Sequence, residues 1–474
     1  MLIFRTQAKI IGRREKKNFT QNGLMMKCTR LLFCLVTALG FLSSPCQAQK
    51  TVLKNITLID GTGAPARKHM NILVEADRIS GIVPDNQKIP AGFQVKDYSG
   101  KTIMPALICA HAHIGVLEGT KIEAENYTRD NILRQLKRYE QYGVDALLCM
   151  GTDRPLIFQG FRDSSQAGKL PGARLYSAGY GFAVPSSPPG GSWTSQLFRP
   201  ATVEQVPAEM DSLAKLHPTV VKMWVDDFGG HAQKMKPEIY RAIIREAHKH
   251  GIQAAAHLYY LEDARKLVDA GLDIIAHSIR DRVVDDALLR QMKARGVAYI
   301  PTLSRDESAY IYAEKPGWMN DAFFKASLEP GVYEMISSKT YQDRIKNSPE
   351  YQQNKQAVAI AMKNLKRMVD AGILVALGTD SGADPVRAQG FSEQWELELM
   401  VEAGLTPLQA IQAATKNAAT VLKINKMYGT LEPGKKADFI ILNQNPENNI
   451  INTRKIRSVW KNGKEVNQGP VSVL

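Results

Sequence analysis

Residues Ile103–His113 read IMPALICAHAH, an apolar run that ends in a His-x-His pair. Its length, and its position between Lys101 and Gly115, predict a buried strand. Because side chains alternate across a strand, His111 and His113 lie on the same face. Two imidazoles at the end of a strand can bind one metal ion, although two histidines hydrogen-bonded within a core would produce the same pattern. Further ligands elsewhere in the chain would favour the metal.

Strand and helix patterns alternate regularly after this stretch, as far as about residue 425. Strands that alternate with helices form a parallel sheet, and eight such units indicate a closed barrel. A doubly wound open sheet is the alternative. The stretch 103–113 is the first predicted strand, and the others are Asp145–Met150, Arg174–Ala178, Val220–Trp224, Gln253–His257, Ile274–His277, Ala298–Leu303 and Leu374–Asp380.

Short strand patterns, separated by turn residues, occupy the segments on either side of this region. Residues 51–100 and 437–466 both have this character, and we expect them to pair with each other. The predicted fold is therefore α/β, with a (β/α)8 TIM barrel at residues 103–425. A small β-sandwich domain is predicted from the two terminal segments, residues 49–102 and 426–474.

Residues 304–350 form an unusually long connection after the seventh predicted strand. Loops of this length are commonly either functional or disordered. The aromatic residues Tyr310, Trp318, Phe323 and Phe324 argue against disorder. We predict a partly helical lid over the C-terminal face of the barrel.

Residues 1–48 predict a secretory signal peptide preceded by an upstream extension. Lys27 and Arg30 form its positive region, residues 31–42 its apolar core, and a cleavage site ends at Ala48. We therefore expect an exported protein, periplasmic or secreted after cleavage near Ala48. The apolar run is too short for a stable membrane span.

The same 48 residues carry half of the formal charge of +14, so the remaining chain is only mildly basic. Because it has no long basic run, we predict no binding to nucleic acid. Cys109 and Cys149 are the cysteines that remain beyond this segment, and both lie in apolar runs. They predict buried free thiols and no disulfide. The sequence is compatible with a homo-oligomer.

Residues able to bind a metal ion stand in or at the ends of several predicted strands. The C-terminal strand ends of such a barrel converge on its active site. A cationic lysine inside Val220–Trp224 also needs an explanation, because burying an unpaired charge is costly. One such residue would carry little weight, but six are hard to assign to packing: His111, His113, Lys222, His257, His277 and Asp380.

Five segments around these residues carry a further signal: Met104–Ile108 before His111–His113, Val221–Lys222, Ile275–His277, Gly378–Ser381 and Tyr428–Asp438. In these segments the chain resembles the amidohydrolase superfamily. The resemblance covers nearly all of the chain after the signal peptide. The most similar group is the imidazolonepropionase-related branch, which includes metal-dependent dipeptidases and N-acyl amino acid hydrolases.

The resemblance implies a site for two divalent metal ions. The two histidines of the first strand and Asp380 would hold one ion, and His257 and His277 the other. Lys222 would bridge them as an N6-carboxylated lysine, a carbamate formed with CO2. Zinc suits such a His/Asp set. A bridging hydroxide would be the nucleophile, and Asp380 would be the catalytic residue that takes its proton and delivers it to the leaving amine.

Two departures from the branch concern the substrate and leave the metal ligands intact. Residues 188–193 read Pro-Pro-Gly-Gly-Ser-Trp where relatives often carry Gly-Gly-His-Gly. After His257 the chain reads Leu258-Tyr259-Tyr260, where relatives often have Ala and then His or Tyr. Leu258 thus replaces the usual Ala, and Tyr259 takes the second place. We predict a catalytic and substrate-binding role for Tyr259, in which it hydrogen-bonds the substrate carbonyl or a carboxylate.

Three further residues are candidate substrate contacts. His231 follows Gly229-Gly230 just beyond the Lys222 strand. Arg280 and Arg305 follow the sixth and seventh strands and are candidate carboxylate clamps. Pairing of these arginines with Asp281 or Asp306 is the structural alternative.

These observations predict an exported binuclear metal-dependent amidohydrolase with a small-molecule amide substrate. It would cleave an amide-type C–N bond in a dipeptide or an N-acyl amino acid. A mononuclear cyclic-amide hydrolase or deaminase is the alternative enzyme. A catalytically inactive binding protein on the same fold is a third interpretation, but such a protein would be expected to lose ligands, and this chain retains all six.

Overall fold

The computed structural model describes residues 49–471. The predicted signal peptide and its cleavage site lie outside the described residues. Within this range, no helix combines the length and the apolar character that crossing a membrane requires. Cys109 and Cys149 are buried and free, which confirms the prediction for the described part of the chain.

Strands cluster at both ends of the described chain and alternate with helices through its middle, which confirms the α/β class. In chain order they are β1 (Lys50–Leu58), β2 (Arg67–Glu75), β3 (Arg78–Pro84), β4 (Gln94–Asp97), β5 (Thr102–Pro105), β6 (Leu107–Ala112), β7 (Leu117–Glu118), β8 (Lys121–Ile122), β9 (Val144–Cys149), β10 (Arg174–Ser177), β11 (Val220–Trp224), β12 (Gln253–His257), β13 (Ile274–Ala276), β14 (Ala298–Ile300), β15 (Phe439–Leu442), β16 (Ile456–Lys461) and β17 (Lys464–Asn467).

One mixed sheet of eight strands combines β1–β5 with β15–β17. The two chain segments meet where β15 pairs antiparallel with β5, with Ile440 opposite Met104. Phe439 and Trp460 stack at 5.3 Å between ring centroids and help to fill the core of this sheet. The predicted pairing of the two terminal segments is confirmed.

The stretch 103–113 is divided between two strands, whereas the sequence predicted one. β5 ends at Pro105 and pairs with the mixed sheet, while β6 begins at Leu107 and pairs parallel with β9. Between them, the backbone N–H of Ala106 donates to the carbonyl of Asp438 at 3.3 Å. The run is buried throughout, so its hydrophobicity contains no mark of the point where it passes from one sheet to the other.

Two parallel sheets form the middle of the chain, one of β6, β9 and β10 and the other of β11–β14. Their residues are almost all buried, as expected where helices cover both faces of a parallel sheet. Isolated parallel bridges extend these sheets at Phe182–Met223, Tyr299–Val375 and Ala112–Ser381.

The predicted eighth strand, Leu374–Asp380, is not a regular strand, so this prediction is corrected. Its backbone runs beside β6, where the N–H of Ala110 donates to the carbonyl of Leu377 at 2.7 Å. Gly378 permits a close approach, because a Cβ added at this position would lie 2.7 Å from the Cβ of His111. The segment therefore lies next to β6, the strand that carries His111, without a continuous ladder of hydrogen bonds.

Helices follow most strands of the parallel sheets, as the alternation of strand and helix patterns predicted. Side-chain caps begin two of them: Thr128 accepts from the N–H of Asn131 at 3.2 Å, and Asp285 accepts from that of Leu288 at 3.0 Å. Such caps satisfy amides that have no partner within the helix. The α-helices are Arg129–Gln141, Phe161–Gln166, Val206–Ala214, Pro237–Lys249, Leu261–Asp269, Asp286–Arg295, Leu303–Glu307, Ile311–Glu314, Ala322–Lys325, Val332–Ser337, Lys339–Lys346, Tyr351–Asp370, Phe391–Glu402, Pro407–Gln412 and Ala418–Val421.

The long connection 304–350 is partly helical, as predicted. Its aromatic residues pack on the helix Phe391–Glu402, with the ring of Trp318 5.0 Å from that of Trp395. The hydroxyl of Tyr312 donates to the carbonyl of Val386 at 2.6 Å. The connection is thereby attached to the segment that follows Asp380.

Candidate metal centre and active site

Five of the six predicted ligands belong to neighbouring strands or follow them directly, and Asp380 ends the irregular segment beside β6. His111 lies on β6, Lys222 on β11, and His257 ends β12. Each of the six is at most 6 % exposed. Adjacent parallel strands bring their carboxyl ends together, so residues that are far apart in sequence share one buried region.

His111, His113 and Asp380 form a compact group, with one possible ligand atom from each residue within 4.8 Å of the others. The Oδ1 atom of Asp380 lies 2.9 Å from Nε2 of His113 and 3.1 Å from Nε2 of His111. Asp380 has a φ of +56°, a backbone conformation that a residue other than glycine seldom adopts. The three residues make a candidate metal site within residues 49–471.

His257 and His277 continue the group on its other side. Their ring centroids are 4.4 Å apart, and the ring of His277 is 4.6 Å from that of His111. His277 has a φ of +77°, so its backbone is also strained, and such outliers are frequent at functional sites. The four strand-end histidines thus form one continuous cluster.

Lys222 is fully buried beside this cluster. Its Nζ atom has no hydrogen-bond partner among the described residues and lies 5.2 Å from the ring centre of Trp224. Burial lowers the pKa of Lys222 to about 7, against the opposing effect of Asp380. A lysine in this position is costly as a bare ammonium ion.

Burial also shapes the charge of the other ligands. It lowers the pKa of His111, His257 and His277, and for His111 the charge of Lys222 adds to this effect. Burial opposes ionisation of Asp380, but the Arg387 guanidinium and the adjacent imidazoles of His111 and His113 hold the pKa of Asp380 well below its usual range. Neutral imidazoles and an ionised carboxylate are the forms that bind metal ions.

Hydroxyl groups hold two of the histidine rings from behind. Nδ1 of His113 lies 2.7 Å from Oγ1 of Thr152, and Nδ1 of His277 lies 2.8 Å from Oγ1 of Thr302. For His113, this contact leaves Nε2 directed at Asp380, 2.9 Å from Oδ1. A partner on the second ring nitrogen orients a metal-ligating histidine and sets its tautomer.

The donor set fits divalent metal ions. Nζ of Lys222, both ring nitrogens of His111 and Nδ1 of His257 are buried without hydrogen-bond partners in the described part of the chain. Buried polar atoms without partners are rare in folded proteins. Imidazole nitrogen and carboxylate oxygen are the usual zinc ligands, so a metal would satisfy atoms that the protein leaves unsatisfied.

The predicted substrate residues differ in how they are placed. The guanidinium of Arg280 lies 4.6 Å from the ring centre of Tyr259, and its Nε is 3.4 Å from Asp306. Arg305 donates to the same carboxylate at 2.7 Å. Both arginines therefore make the pairing with Asp306 that was the structural alternative to a role as carboxylate clamps. His231 lies exposed after β11.

Two residues near the cluster escaped the sequence analysis. Asp226 is buried and lies 3.3 Å from Nε2 of His257. The sequence contained a signal for Asp226: it follows Lys222 by four residues, and residues two or four apart in a strand lie on the same face. Arg387 donates to Oδ2 of Asp380 at 2.5 Å. It lies in an irregular loop, where no periodicity marks a side chain.

Comparisons with known proteins identify the family of this chain. The amidohydrolase family matches residues 102–466. An ochratoxinase from Aspergillus niger is 26 % identical, over 89 % of this chain and 88 % of its own length.

Two solved structures share the fold. A candidate prolidase from Bifidobacterium longum has a TM-score of 0.71 and 25 % identity, covering 90 % of this chain and 96 % of its own. An Xaa-Pro dipeptidase with bound methionine in its active site has a TM-score of 0.68 and 23 % identity, covering 88 % of this chain and 100 % of its own. The chain belongs to the amidohydrolase family, and it is a hydrolase that acts on carbon–nitrogen bonds.

Proposed function

We propose that this protein is an exported binuclear metal-dependent amidohydrolase that releases an amino acid from a dipeptide or an N-acyl amino acid. The observation that carries the binuclear proposal is Lys222, whose Nζ is fully buried and without a hydrogen-bond partner among residues 49–471. Carboxylation of this amine by CO2 would replace a costly cation with an anion. Two metal ions beside it would stabilise that anion.

The ligands divide into two sets around Lys222. His111, His113 and Asp380 would hold one ion, and His257 and His277 the other, with the carboxylated Lys222 shared between them. When bound, the metal ions would polarise the scissile carbonyl and lower the pKa of water towards about 7. Zinc is the ion that this donor set suits.

Asp380 is the residue best placed to move a proton. Its Oδ1 faces the histidines and its Oδ2 faces Arg387, so the ionised carboxylate is held in one orientation. We infer that Asp380 accepts the proton of the attacking water and passes it to the leaving nitrogen. Tyr259, on the strand-end segment after His257, would contact the substrate carbonyl.

The family and the relatives support this substrate class. One relative is named ochratoxinase, and two structures with the same fold are named prolidase and Xaa-Pro dipeptidase. In this chain, arginine side chains lie beside the predicted ligands. A small amide with an amino acid on its nitrogen side fits such a site.

The closed barrel, the β-sandwich and the domain limits 49–102, 103–425 and 426–474 are part of the proposal. Bridges on both sides of 375–381 support closure of the barrel. An isolated antiparallel bridge joins Arg78, on the edge strand β3, to Lys436, which precedes β15. This bridge supports a mixed sheet that folds over into two layers, as in the proposed β-sandwich.

Export is proposed from residues 1–48 alone. In a bacterial host, we expect the full chain to be recovered outside the cytoplasm, with an N-terminus near Gln49. N-terminal sequencing of the purified protein measures this, and recovery of the uncleaved chain in the cytoplasm would contradict it.

A Lys222→Ala variant tests the binuclear centre. We expect zinc content to fall from about two ions per chain, and hydrolysis of N-acyl amino acids to fall by at least about 100-fold, because losing even an outer partner of a ligand costs about 10–100-fold. Lys339→Ala is the matched control, since this lysine is 87 % exposed on a helix. Full activity of metal-loaded Lys222→Ala would overturn the mechanism.

The compact group of His111, His113 and Asp380 favours one alternative, a mononuclear cyclic-amide hydrolase or deaminase. Metal analysis of the active protein separates the two cases, because one zinc per chain supports the alternative. A screen of dipeptides, N-acyl amino acids and cyclic amides then identifies the reaction. A metal-loaded protein inactive on all of them would support a binding protein.

A further inference from the structure

Two arginines approach the same oxygen atom at the edge of the metal cluster. Nη1 of Arg387 lies 2.5 Å from Oδ2 of Asp380, and Nε of Arg305 lies 3.4 Å from it. Both side chains are 20 % exposed, so they lie between the buried ligands and solvent. One carboxylate oxygen thus faces two guanidinium groups.

Three arginines near the site pair with only two nearby carboxylates, those of Asp306 and Asp380. Arg305 and Arg280 both pair with Asp306, at 2.7 Å and 3.4 Å. Asp226 lies against His257 instead. The Oδ1 atom of Asp380 faces the histidines. A cation bound there would partly neutralise the carboxylate, and Arg387 and Arg305 would then be paired with less negative charge.

Each of the two arginines keeps one N–H donor without a hydrogen-bond acceptor among the described residues. The Nε atoms of Arg305 and Arg387 are buried and make no hydrogen bond within the described residues. A guanidinium has five N–H donors in a planar fork, which matches the two oxygens of a carboxylate. Arg280 differs, because it donates to the carbonyl of Ser278 at 2.8 Å and lies under the ring of Tyr259.

We propose that Arg387, assisted by Arg305, binds the carboxylate of the amino acid that the reaction releases, and so selects N-acyl amino acids and dipeptides over neutral amides. This inference rests on the proposed function. Arg387 is a specificity-determining residue that the sequence analysis did not identify.

The position of Asp380 explains why the carboxylate that is bound belongs to the amino acid on the nitrogen side of the scissile bond. Asp380 passes its proton to the leaving nitrogen in the proposed reaction, so that nitrogen must come close to Asp380. The α-carboxylate of an amino acid is two bonds from its nitrogen. It therefore lies beside Asp380, where Arg387 and Arg305 present their donors.

The test compares two substrates that differ only in this group, N-acetyl-L-methionine and N-acetyl-L-methioninol. With zinc-loaded protein, we expect kcat/KM to be higher for the carboxylate. Arg387→Gln should reduce that preference by about 10- to 100-fold, since a site built to bind a polar group discriminates strongly against its absence. Arg387→Lys should restore part of it, because lysine keeps the charge but not the fork.

Arg282→Gln is the matched control, because this arginine is 66 % exposed and pairs with Asp281 outside the cluster. It should leave the preference unchanged. If Arg387→Gln slows both substrates equally, then Arg387 acts only through Asp380 and the inference is overturned, while the proposed function stands.

Calorimetric binding of L-methionine and L-methioninol to the same proteins gives a readout that does not need turnover. Tighter binding of L-methionine, lost in Arg387→Gln, supports the inference even if neither acetylated compound is hydrolysed, and that result would count against the proposed function alone. If the protein without substitutions binds the two compounds equally well, the inference is overturned.

Discussion

Nε2 of His113 lies 2.9 Å from Oδ1 of Asp380, although 267 residues separate them in the chain. This contact joins the first strand of the parallel region to the segment that follows the last one. Both side chains are buried, so neither can exchange its partner for bulk water. This contact brings Asp380 to the two histidines of the candidate metal site.

Replacing either member of this pair should remove the same metal ion. We expect His113→Asn and Asp380→Asn each to lower zinc content by about one ion per chain, and the double variant to lose little more, because residues that act as a unit are not additive. Elemental analysis of purified protein measures this. The surface pair His248 and Asp273, 2.8 Å apart, is the control, and zinc content that falls with these substitutions would argue against a specific site.

Gly151 leaves room for Lys222. A Cβ at position 151 would lie 2.9 Å from the Cβ of Lys222, so Gly151→Ala must displace the lysine or the strand that carries it. Gly160 has the same φ of +87°, with nothing near the added atom. Both substitutions strain the backbone, by about 1 kcal/mol or more.

Only Gly151→Ala should therefore reduce zinc content and hydrolysis, and its Tm should fall further than that of Gly160→Ala. Metal analysis and thermal unfolding of the two variants measure the difference. Equal behaviour would mean that the close approach to Lys222 has no consequence.

Thr152 orients the imidazole of His113 through the contact at 2.7 Å between Oγ1 and Nδ1. Thr152→Val keeps the shape of the side chain but removes this partner. We expect zinc affinity to fall by about 10- to 100-fold, the usual cost of losing the outer partner of a metal ligand. Competition with a chelator measures the affinity. Thr152→Ser keeps the hydroxyl and should bind zinc nearly as well as the natural sequence, so weak binding by both variants would refute the role.

Glu396 should make the stability of the protein depend on pH. It is fully buried and accepts the N–H groups of Leu303 and Ser304 at 2.8 Å and 2.7 Å. Burial raises the pKa of Glu396 from 4.5 to about 8. Between these two values the folded protein keeps a proton that the unfolded chain has lost, so stability falls as the pH rises through this window.

Glu396→Gln removes this titration. Its free energy of unfolding, relative to the natural sequence, should therefore rise with pH across the window, by at most about 1.4 kcal/mol per pH unit. Urea unfolding at a series of pH values measures the slope. Glu238→Gln, on an exposed position at the start of a helix, should show no such trend, and identical slopes for both variants would disprove the assignment.

Much of the arrangement could be predicted because its signals are local. The apolar runs before His257 and His277 predicted strands, and the order of strands and helices predicted a parallel sheet. Since the carboxyl ends of parallel strands meet, these histidines were expected to be neighbours, and their rings are 4.4 Å apart.

The rest depended on contacts between distant segments. The passage from β5 to β6 at Ala106 leaves no mark in a uniformly buried run. The irregular backbone at 374–380 results from its close approach to β6 at Gly378. The periodicity of the sequence predicts neither feature, because each depends on a contact with a distant segment: Ala106 with Asp438, and Gly378 with β6.

The sequence by itself determined the α/β class, the family and the six residues that make a candidate metal centre. The class and the six residues follow from residue type, spacing and strand periodicity, and the family follows from the resemblance of five short segments to the amidohydrolase superfamily. Only the tertiary structure decided that Arg387 meets Asp380 and that Asp226 meets His257, because those contacts join irregular loops or strand ends whose partners are set by packing. The side chains that surround the ligands, and so the choice of substrate, belong to that second group.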